Sequence, residues 1–237
     1  MDDRGNDPAD VRRNEYGQPI GRPLDVDLPV PPPPADPMVG RRCRVEPLDV
    51  AAHAEALYEA YGEEADDRPY TYLFHERPAT LNHLLEWLSV REGGADPLFF
   101  VISDDDGPCG MAALQRIVPE HGVVEVGSIH LAPRLQATTA STEAMYLLMQ
   151  RVFDTGYRRY EWKCDSLNAP SRAAASRLGF VYEGDFRQAI VYKGRNRDTS
   201  WFSITETEWP TLQREFERWL DPSNFDDAGR QLSPLRH

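Results

Sequence analysis

Residues 121–180 constrain the fold more than any other part of this sequence. They begin with a strand pattern, HGVVEVGSIHLAP, which ends at Pro133, and continue with an amphipathic helical pattern, STEAMYLLMQRVFD. A second strand pattern, RRYEWKCDS, leads into a compact helix, NAPSRAAASRLGF, which Gly179 closes at its carboxyl end. A strand, a helix and a second strand in this order predict two parallel strands side by side in one sheet.

The rest of the chain adds further strands and helices. Alternating or apolar runs predict strands at RRCRVEPL, LFFVIS, MAALQRIV, VYEGDFRQAIVYKG and TSWFSIT, and DDDGPCG is typical of a hairpin turn. Apolar spacings of three and four predict helices at VAAHAEALYEAYG, at ATLNHLLEWLSVREGG, which should end at its glycines, and at ETEWPTLQREFERWL. These elements predict an α/β (α+β) fold, in which helices cover both faces of a mixed, mostly antiparallel sheet of six to seven strands.

The sequence divides into three parts. Residues 1–38 form a proline-rich extended leader, in which the four prolines from Pro31 to Pro34 favour a polyproline conformation. This leader is either draped over the domain or disordered, and a ligand for a proline-recognising domain is the alternative. Residues 39–205 carry the regular strand and helix patterns. Residues 206–237 contain the last amphipathic helix and a tail that looks loose from Asp221 onward.

Composition argues against several classes of function. The net charge of −13 argues against nucleic-acid binding, which normally requires a basic face. The three cysteines have no CxxC spacing, so we expect reduced thiols, no metal site and a cytoplasmic protein. No apolar run approaches the length of a membrane span, so we expect no membrane association. The acidic run Glu63-Glu64-Ala65-Asp66-Asp67 is most simply a solvated surface.

The helix after Pro133 begins on side chains without bulk. Residues 137–142 are small or hydroxylated, and none is charged. A helix N-terminus presents unpaired N–H groups and a partial positive charge, so it binds phosphate where the side chains leave room. Threonine and serine are also good helix caps. This segment alone therefore indicates either a phosphate-binding turn or a well-capped helix packed on the sheet.

The next helix supplies a second signal. Asn168 precedes it and Gly179-Phe180 follow it, and with the strand and loop before them this order resembles the GNAT acetyltransferase superfamily. The resemblance covers roughly residues 40–205 and implies a GNAT fold and acetyl-CoA as co-substrate. The branch that acetylates the N-termini of ribosomal proteins is the most similar, since it carries elements like Thr142-Glu143-Ala144, Asn168 with Ser171, Glu183-Gly184, and Gly194 with Asp198.

The resemblance also implies which residues hold acetyl-CoA. In the family a Gln/Arg-x-x-Gly-x-Gly/Ala loop binds the pyrophosphate, and aligned through Gln136 its glycines become Ala137, Thr139 and Ser141. Glycine permits positive φ and the closest approach to phosphate, so their loss supports the alternative of a non-catalytic GNAT-fold protein that binds acyl-CoA or a partner. Arg177 is expected to face solvent. The implied cofactor-binding residues are Ile129, Leu131, Gln136, Ala137, Thr138, Thr139, Ala140, Ser141, Thr142, Asn168 and Arg172.

Acetyl transfer from a thioester to an amine needs a proton acceptor for the amine, donors for the carbonyl oxygen and a proton for the departing thiolate. Glu125, among the apolar residues of VVEV, is the predicted base if its neighbours raise its pKa, and His130 is the rival. Strand alternation predicts that Glu125, Gly127 and Ile129 share one face. Ser128 and His130 would then share the other.

By resemblance, Ser171 protonates the thiolate. Since no cysteine or serine lies beside an evident base, we expect direct transfer in a ternary complex. The acceptor would bind against the loop DDRPYTYLF, where Tyr70, Tyr72 and Phe74 alternate and could line a pocket; a plain hydrophobic lid explains them equally well. The sequence therefore predicts an N-acetyltransferase, monomeric or homodimeric, for a small-molecule or peptide amine.

Overall fold

The computed structural model describes residues 12–24 and 26–236, so residues 1–11 of the predicted leader lie outside the described part. Its strands are β1 Arg12–Arg13, β2 Pro19–Ile20, β3 Met38–Val39, β4 Arg44–Pro47, β5 Leu98–Asp104, β6 Gly107–Val118, β7 Val123–Leu131, β8 Arg159–Asp165, β9 Val181–Tyr192 and β10 Arg195–Thr205. Its α-helices are α1 Val50–Gly62, α2 Leu81–Ser89, α3 Thr139–Asp154, α4 Ala169–Arg177 and α5 Trp209–Leu220.

An eight-stranded sheet forms the centre of the described chain, with the order β3-β4-β5-β6-β7-β8-β10-β9. Neighbouring strands are antiparallel except β7 and β8, which run parallel and are connected by α3. The predicted parallel pair and the mixed, mostly antiparallel sheet are confirmed. The sheet has eight strands rather than six to seven, because Met38–Val39 adds an edge strand too short to produce an alternating pattern.

The helices divide between the two faces of the sheet. Glu161 of β8 pairs with Glu125 of β7, and the next residue, Trp162, points to the opposite face. The Trp162 indole N–H donates to Ser171 of α4, which places α4 on that face together with α3 and α5. On the Glu125 face, α1 packs its Tyr61 against β7, and α2 packs on α1. The sheet is therefore covered on both sides, as predicted.

Side-chain caps fix where four of the helices begin. Asp49, Thr80, Thr138 and Asn168 each accept a hydrogen bond from the backbone N–H three residues further on. A cap of this kind contributes about 1 kcal/mol to stability. Helix α1 has the predicted bounds. Helix α2 ends at Ser89 rather than at the glycines, because the following residues fold back as a tight turn on the end of the helix.

Both ends of the described chain contact the domain. In the leader, Val30 is buried and its N–H donates to the Pro119 carbonyl, while Arg151 of α3 donates to the Pro34 carbonyl. The tail that looked loose instead forms a short 3₁₀ helix, Pro222–Asn224, and the Asn224 amide donates to the Trp219 carbonyl. The tail is therefore packed against the end of α5.

Three further properties follow from the described residues. None of their helices is both long and apolar enough to cross a bilayer. Cys43, Cys109 and Cys164 are buried and unpaired, and burial raises the pKa of the Cys109 thiol to about 11, which makes it a poor nucleophile. No group of three or more His, Cys, Asp or Glu side chains among these residues could hold a metal ion.

Candidate active site

The parallel strands β7 and β8 separate part-way along their length. Their pairing runs from Val123 with Arg159 to Val126 with Trp162, and beyond these residues no pairing is formed although both strands continue. A cleft of about 1550 Å³ opens at this gap and extends to the N-terminus of α3 on one side and to the loop before α2 on the other. The backbone of β7 that faces the gap is left free for a ligand.

A β-bulge in β7 changes which side chains face the cleft. Ser128 has a left-handed φ of 50°, and the register with β6 shifts between Gly127 and His130. Because Glu125, Gly127 and His130 lie opposite alternate residues of β6, they share one face. The prediction that Glu125 and Gly127 share a face with Ile129, and that His130 lies on the other, is therefore wrong.

Glu125 is buried, lines the cleft and is surrounded by donors. Its Oε2 lies 2.9 Å from Nζ of Lys163 and 3.3 Å from Nε of Arg116. Its Oε1 accepts a 2.8 Å hydrogen bond from the Gln115 amide, which lies over Gly127 where any Cβ would collide with it. These contacts balance the negative charge of the carboxylate.

A second buried carboxylate meets the same face of β7. The Glu64 side chain is only 1% exposed, and its Oε1 lies 2.7 Å from Nε2 of His130. The Tyr61 ring stacks on the imidazole at 4.0 Å, and the Tyr70 ring meets it edge-on at 4.9 Å. The acidic run was expected to be a solvated surface, but Glu64 is directed inward to this histidine. Its Oε2 has no well-formed hydrogen bond among the described residues.

The loop between α1 and α2 forms a wall of the cleft. Tyr72 and Phe74 line it, whereas Tyr70 lies behind them against His130. Lys193 holds this wall in place, since its ammonium group donates to the carbonyls of Tyr70 and His75. Burial, with further contributions from the charges of His130, Arg91 and Lys193, lowers the pKa of His75 to about 4, so this ring is neutral at physiological pH.

Ser171 enters the cleft from the other face of the sheet. Its hydroxyl oxygen accepts the Trp162 indole N–H at 3.0 Å, and its backbone N–H donates to the Asn168 side chain at 3.1 Å. Because the indole occupies one lone pair of the oxygen, the hydroxyl proton remains free to be donated into the cleft. Glu125 and Ser171, the predicted base and the predicted proton donor, therefore line the same cleft.

The N-terminus of α3 closes the cleft at its far end. The Thr138 hydroxyl accepts the N–H of Ser141, which leaves the N–H groups of Thr139 and Ala140 without an acceptor among the described residues. Ala137 has a left-handed φ of 57°. Of the predicted cofactor-binding loop, the cleft is lined by Gln136, Ala137, Thr138, Thr139, Ser141 and Thr142, together with Ile129, Leu131 and Asn168, but not by Ala140.

Of the two arginines of α4, Arg177 lines the cleft and Arg172 does not. Arg172 pairs with Asp185 and hydrogen-bonds Ser200, and it does not line the cleft. Arg177 is exposed, as expected, but it also donates to the Thr142 hydroxyl at 3.0 Å and lines the cleft. The C-terminal segment also reaches this end through Trp219, Phe225 and Gln231. Sequence reasoning missed these residues because their place depends on contacts between distant segments.

Comparison with known proteins identifies the family. Residues 42–181 match the model of the acetyltransferase (GNAT) domain. A GCN5-related N-acetyltransferase from Brucella melitensis is 46% identical, with a TM-score of 0.87 over 90% of this chain and 97% of that one. The chain belongs to the GNAT acetyltransferase family. It is an acetyltransferase of the α/β GNAT fold.

More distant GNAT structures share the fold. An acetyltransferase from Salmonella typhimurium that modifies the N-terminal serine of ribosomal protein L7/L12 is 19% identical, with a TM-score of 0.61 over 70% of this chain and 96% of that one. A ribosomal L7/L12 alpha-N-protein acetyltransferase solved with coenzyme A is 19% identical, with a TM-score of 0.60 over 71% and 96%. No curated protein gives a significant sequence match.

The helix start fits the phosphates of the family's co-substrate although it lacks the glycines. The main function of a glycine there is to permit positive φ, and Ala137 adopts positive φ without one. The turn therefore has the left-handed conformation that a glycine would permit, and it leads into the helix start whose Thr139 and Ala140 N–H groups have no acceptor among the described residues. An L-residue in this conformation costs roughly 1–2 kcal/mol.

Matched glycine substitutions test this reading of the turn. Ala137→Gly should raise the free energy of unfolding by about 0.5–1 kcal/mol, because relief of strain outweighs the added entropy of the unfolded chain. Ala140→Gly, in the first turn of α3, should lower it by about 0.5–1 kcal/mol. Urea denaturation measures both. Equal destabilisation by the two changes would contradict a strained turn at Ala137.

Proposed function

We propose that this GNAT protein transfers the acetyl group of acetyl-CoA to a primary amine by direct transfer in a ternary complex. The observation that carries the proposal is a single cleft with three parts: free helix N–H groups at one end, an aromatic wall at the other, and proton-handling side chains between them. The competing proposal, a protein that only binds acyl-CoA, predicts binding without thiol release. A thiol-release assay over a panel of amines separates the two.

The residues proposed to hold the co-substrate are those of the α3 start and the gap between β7 and β8. Acetyl-CoA supplies an acetyl group activated as a thioester. The N–H groups of Thr139 and Ala140 would bind phosphate oxygens, with the positive end of the helix favouring their charge. Backbone N–H groups near Ile129 and Leu131 would bind the carbonyl oxygen. Gln136, whose amide donates to the Leu131 carbonyl at 2.8 Å, holds the turn against the strand.

Binding of CoA tests the proposed phosphate site. At about a hundred times its dissociation constant CoA should add roughly 2.7 kcal/mol of stability and raise the melting temperature by about 5–10 °C. Thr139→Glu should abolish this shift, because a carboxylate in the first turn repels phosphate while remaining compatible with the helix. Thr139→Gln is the uncharged control and should keep most of the shift. A wild-type protein unaffected by millimolar CoA would contradict the site.

Ser171 is proposed to donate its proton to the sulfur as the C–S bond breaks. Its oxygen is held by the Trp162 indole and its backbone by the Asn168 cap, so the hydroxyl is positioned without help from the ligand. The serine then recovers a proton from solvent. Asn168 caps α4 by accepting the N–H of the residue three positions further on. A spacing of three residues therefore places Ser171 in the first turn of the helix.

Substitution of the serine tests this role. Ser171→Ala should lower kcat by about 10²–10⁴, the usual contribution of a positioned proton donor, with little change in CoA affinity. Ser176→Ala, on an exposed position of the same helix, is the control and should behave as wild type. Steady-state kinetics and calorimetry measure the two quantities. An equal loss of CoA affinity and kcat would point to a structural role for Ser171.

Proton acceptance from the amine is proposed for the face of β7 that carries both Glu125 and His130. The assignment of Glu125 as base stays a prediction, but its carboxylate is engaged by Lys163 and Gln115. The imidazole offers a better acceptor. Because Nε2 lies 2.7 Å from the Glu64 carboxylate, the ring carries its proton there and presents the lone pair of Nδ1. Glu64 thus acts as a positioning residue for His130, as a carboxylate does in a catalytic triad.

The proton balance of the proposed step is simple. The neutral amine forms the N–C bond while the C–S bond breaks, His130 takes a proton from the nitrogen, and Ser171 supplies one to the sulfur. The two side chains lie on opposite faces of the sheet and meet only at the gap between β7 and β8. A reacting group in this gap would therefore have the acceptor and the donor on opposite sides.

The pH dependence of kcat/KM distinguishes the two base candidates. In wild type it should fall on the acid side, where the catalytic base is protonated. His130→Gln should lower it by about 10²–10⁴ and remove this acid limb, whereas Glu125→Gln should keep the limb. His75 does not contribute above about pH 4 because its pKa is depressed to that value. Loss of the limb in Glu125→Gln alone would return the base role to Glu125.

A further inference from the structure

A buried arginine in the cleft has no carboxylate partner among the residues that the structure describes. Arg197 of β10 is 6% exposed and lines the cleft, and no Asp or Glu oxygen of the described residues lies within 4.0 Å of it. Its only hydrogen bond to these residues is from Nε to the Thr199 hydroxyl, at 3.2 Å. Its guanidinium lies 5.4 Å from the Phe74 ring centroid and 5.9 Å from that of Tyr192. The two terminal nitrogens are therefore left to a ligand.

The nearby acidic groups are already committed. Asp165 accepts the Tyr192 hydroxyl at 2.8 Å and the Leu167 N–H at 2.9 Å. Asp198, next to Arg197 in the chain, accepts the Gln188 N–H on the other side of the hairpin. Burying an unpaired cation is costly, and aromatic faces compensate only part of that cost. An arginine held in this way is suited to bind an anionic group of a ligand, because its planar guanidinium can donate two parallel hydrogen bonds to a carboxylate.

The position of Arg197 assigns this anion to the acceptor rather than to the co-substrate. Its guanidinium lies against Phe74, which belongs to the wall formed by the loop between α1 and α2. The proposed phosphate site at α3 is served by different groups, the N–H of Thr139 and Ala140 and the side chain of Arg177. The acceptor end therefore has a cation of its own.

The same end carries a buried negative charge. Glu64 and His130 form a pair whose Glu64 Oε2 lacks a well-formed hydrogen bond among the described residues, and both side chains line the cleft. We propose that the acceptor is an amino acid-like amine that also bears a carboxylate, with its amine at His130 and its carboxylate at Arg197. Aromatic side chains that line the same cleft, Phe74 of the wall and Trp87 of α2, would contact the carbon skeleton. This inference rests on the proposed acetyl transfer and narrows its substrate class.

Matched sets of amines test the carboxylate requirement. The first set is L-phenylalanine, L-phenylalaninamide and phenethylamine. The second is 3-aminopropanoate, 3-aminopropanamide and ethylamine, and the third is 4-aminobutanoate, 4-aminobutanamide and propylamine. Each set keeps the amine and changes only the anionic group, and the three sets vary its distance from the nitrogen. L-Phenylalaninamide also stands for a peptide N-terminus, in which the neighbouring carbonyl group has no charge.

In the set of suitable length, the carboxylate form should have a kcat/KM at least about tenfold above its amide and plain amine. Arg197→Gln should lower kcat/KM for that form by about 10- to 100-fold and leave the amide and amine nearly unchanged. Arg197→Lys should keep part of the preference, since it retains the charge. Arg187→Gln, on an exposed position of the neighbouring strand β9 and outside the cleft, is the control and should match wild type.

Two results would overturn the inference: a wild type that does not prefer carboxylates in any set, or an Arg197→Gln variant that loses all three forms equally. Arg197→Gln should fold, because it removes a buried charge without breaking an ion pair, and its melting temperature should equal or exceed that of wild type. Calorimetric binding of the same amines with CoA present separates this inference from the proposed reaction. Binding that prefers carboxylates through Arg197, without acetylation, would overturn acetyl transfer and support the anion site. Binding without that preference would overturn the anion site.

Discussion

Lys163 joins β7 to β8 at the point where the two strands separate. Its Nζ lies 2.9 Å from Glu125 Oε2 and 2.7 Å from Glu161 Oε2, and it stands 3.6 Å from the Trp201 ring centroid. The two carboxylates face each other across the parallel ladder, so without the cation they would repel each other. Lys163 follows the last paired residue of β8, and its ion pairs thus fix the edge from which the cleft opens. Buried ion pairs contribute little net stability but hold a defined geometry, which is what this gap requires.

The bulge at Ser128 determines which residues meet in that gap. Strand alternation correctly placed Glu125 at a buried position, but it could not anticipate that an extra residue would turn His130 onto the same face. A bulge depends on the partner strand, and nothing in VGSIH marks it before β6 is known. The parallel pair and the bounds of α1 were predictable because their signals lie within single segments of the sequence. The inward direction of Glu64, in an acidic run that resembles a surface, was not.

Long basic side chains hold the acceptor wall in place. Lys193 and Arg195, from the turn and strand after β9, donate to backbone carbonyls of the loop between α1 and α2, and Arg77 donates to the carbonyls of Tyr61 and Glu64. These contacts cross between segments distant in sequence, so the wall is preformed rather than assembled by the ligand. A preformed wall reduces the ordering entropy that binding would otherwise cost. It also explains how a loop whose helical structure is one short 3₁₀ helix, Arg68–Tyr72, can keep Glu64 within hydrogen-bond distance of His130.

The features that cost stability in this molecule are concentrated around the cleft. Ser128 and Ala137 line the cleft and have left-handed backbone conformations. Arg116 and Lys193 also have left-handed conformations, and they contact residues that border the cleft. Arg197 and Glu64 add buried charge without complete compensation in the described chain. A fifth residue with a left-handed backbone, Gln188 of β9, does not line the cleft. Strain and unpaired charge persist only where the surrounding structure enforces them, and a ligand of opposite charge removes the electrostatic part of the cost. A ligand of opposite charge therefore gains the most binding free energy at the sites whose unpaired charge destabilises the free protein.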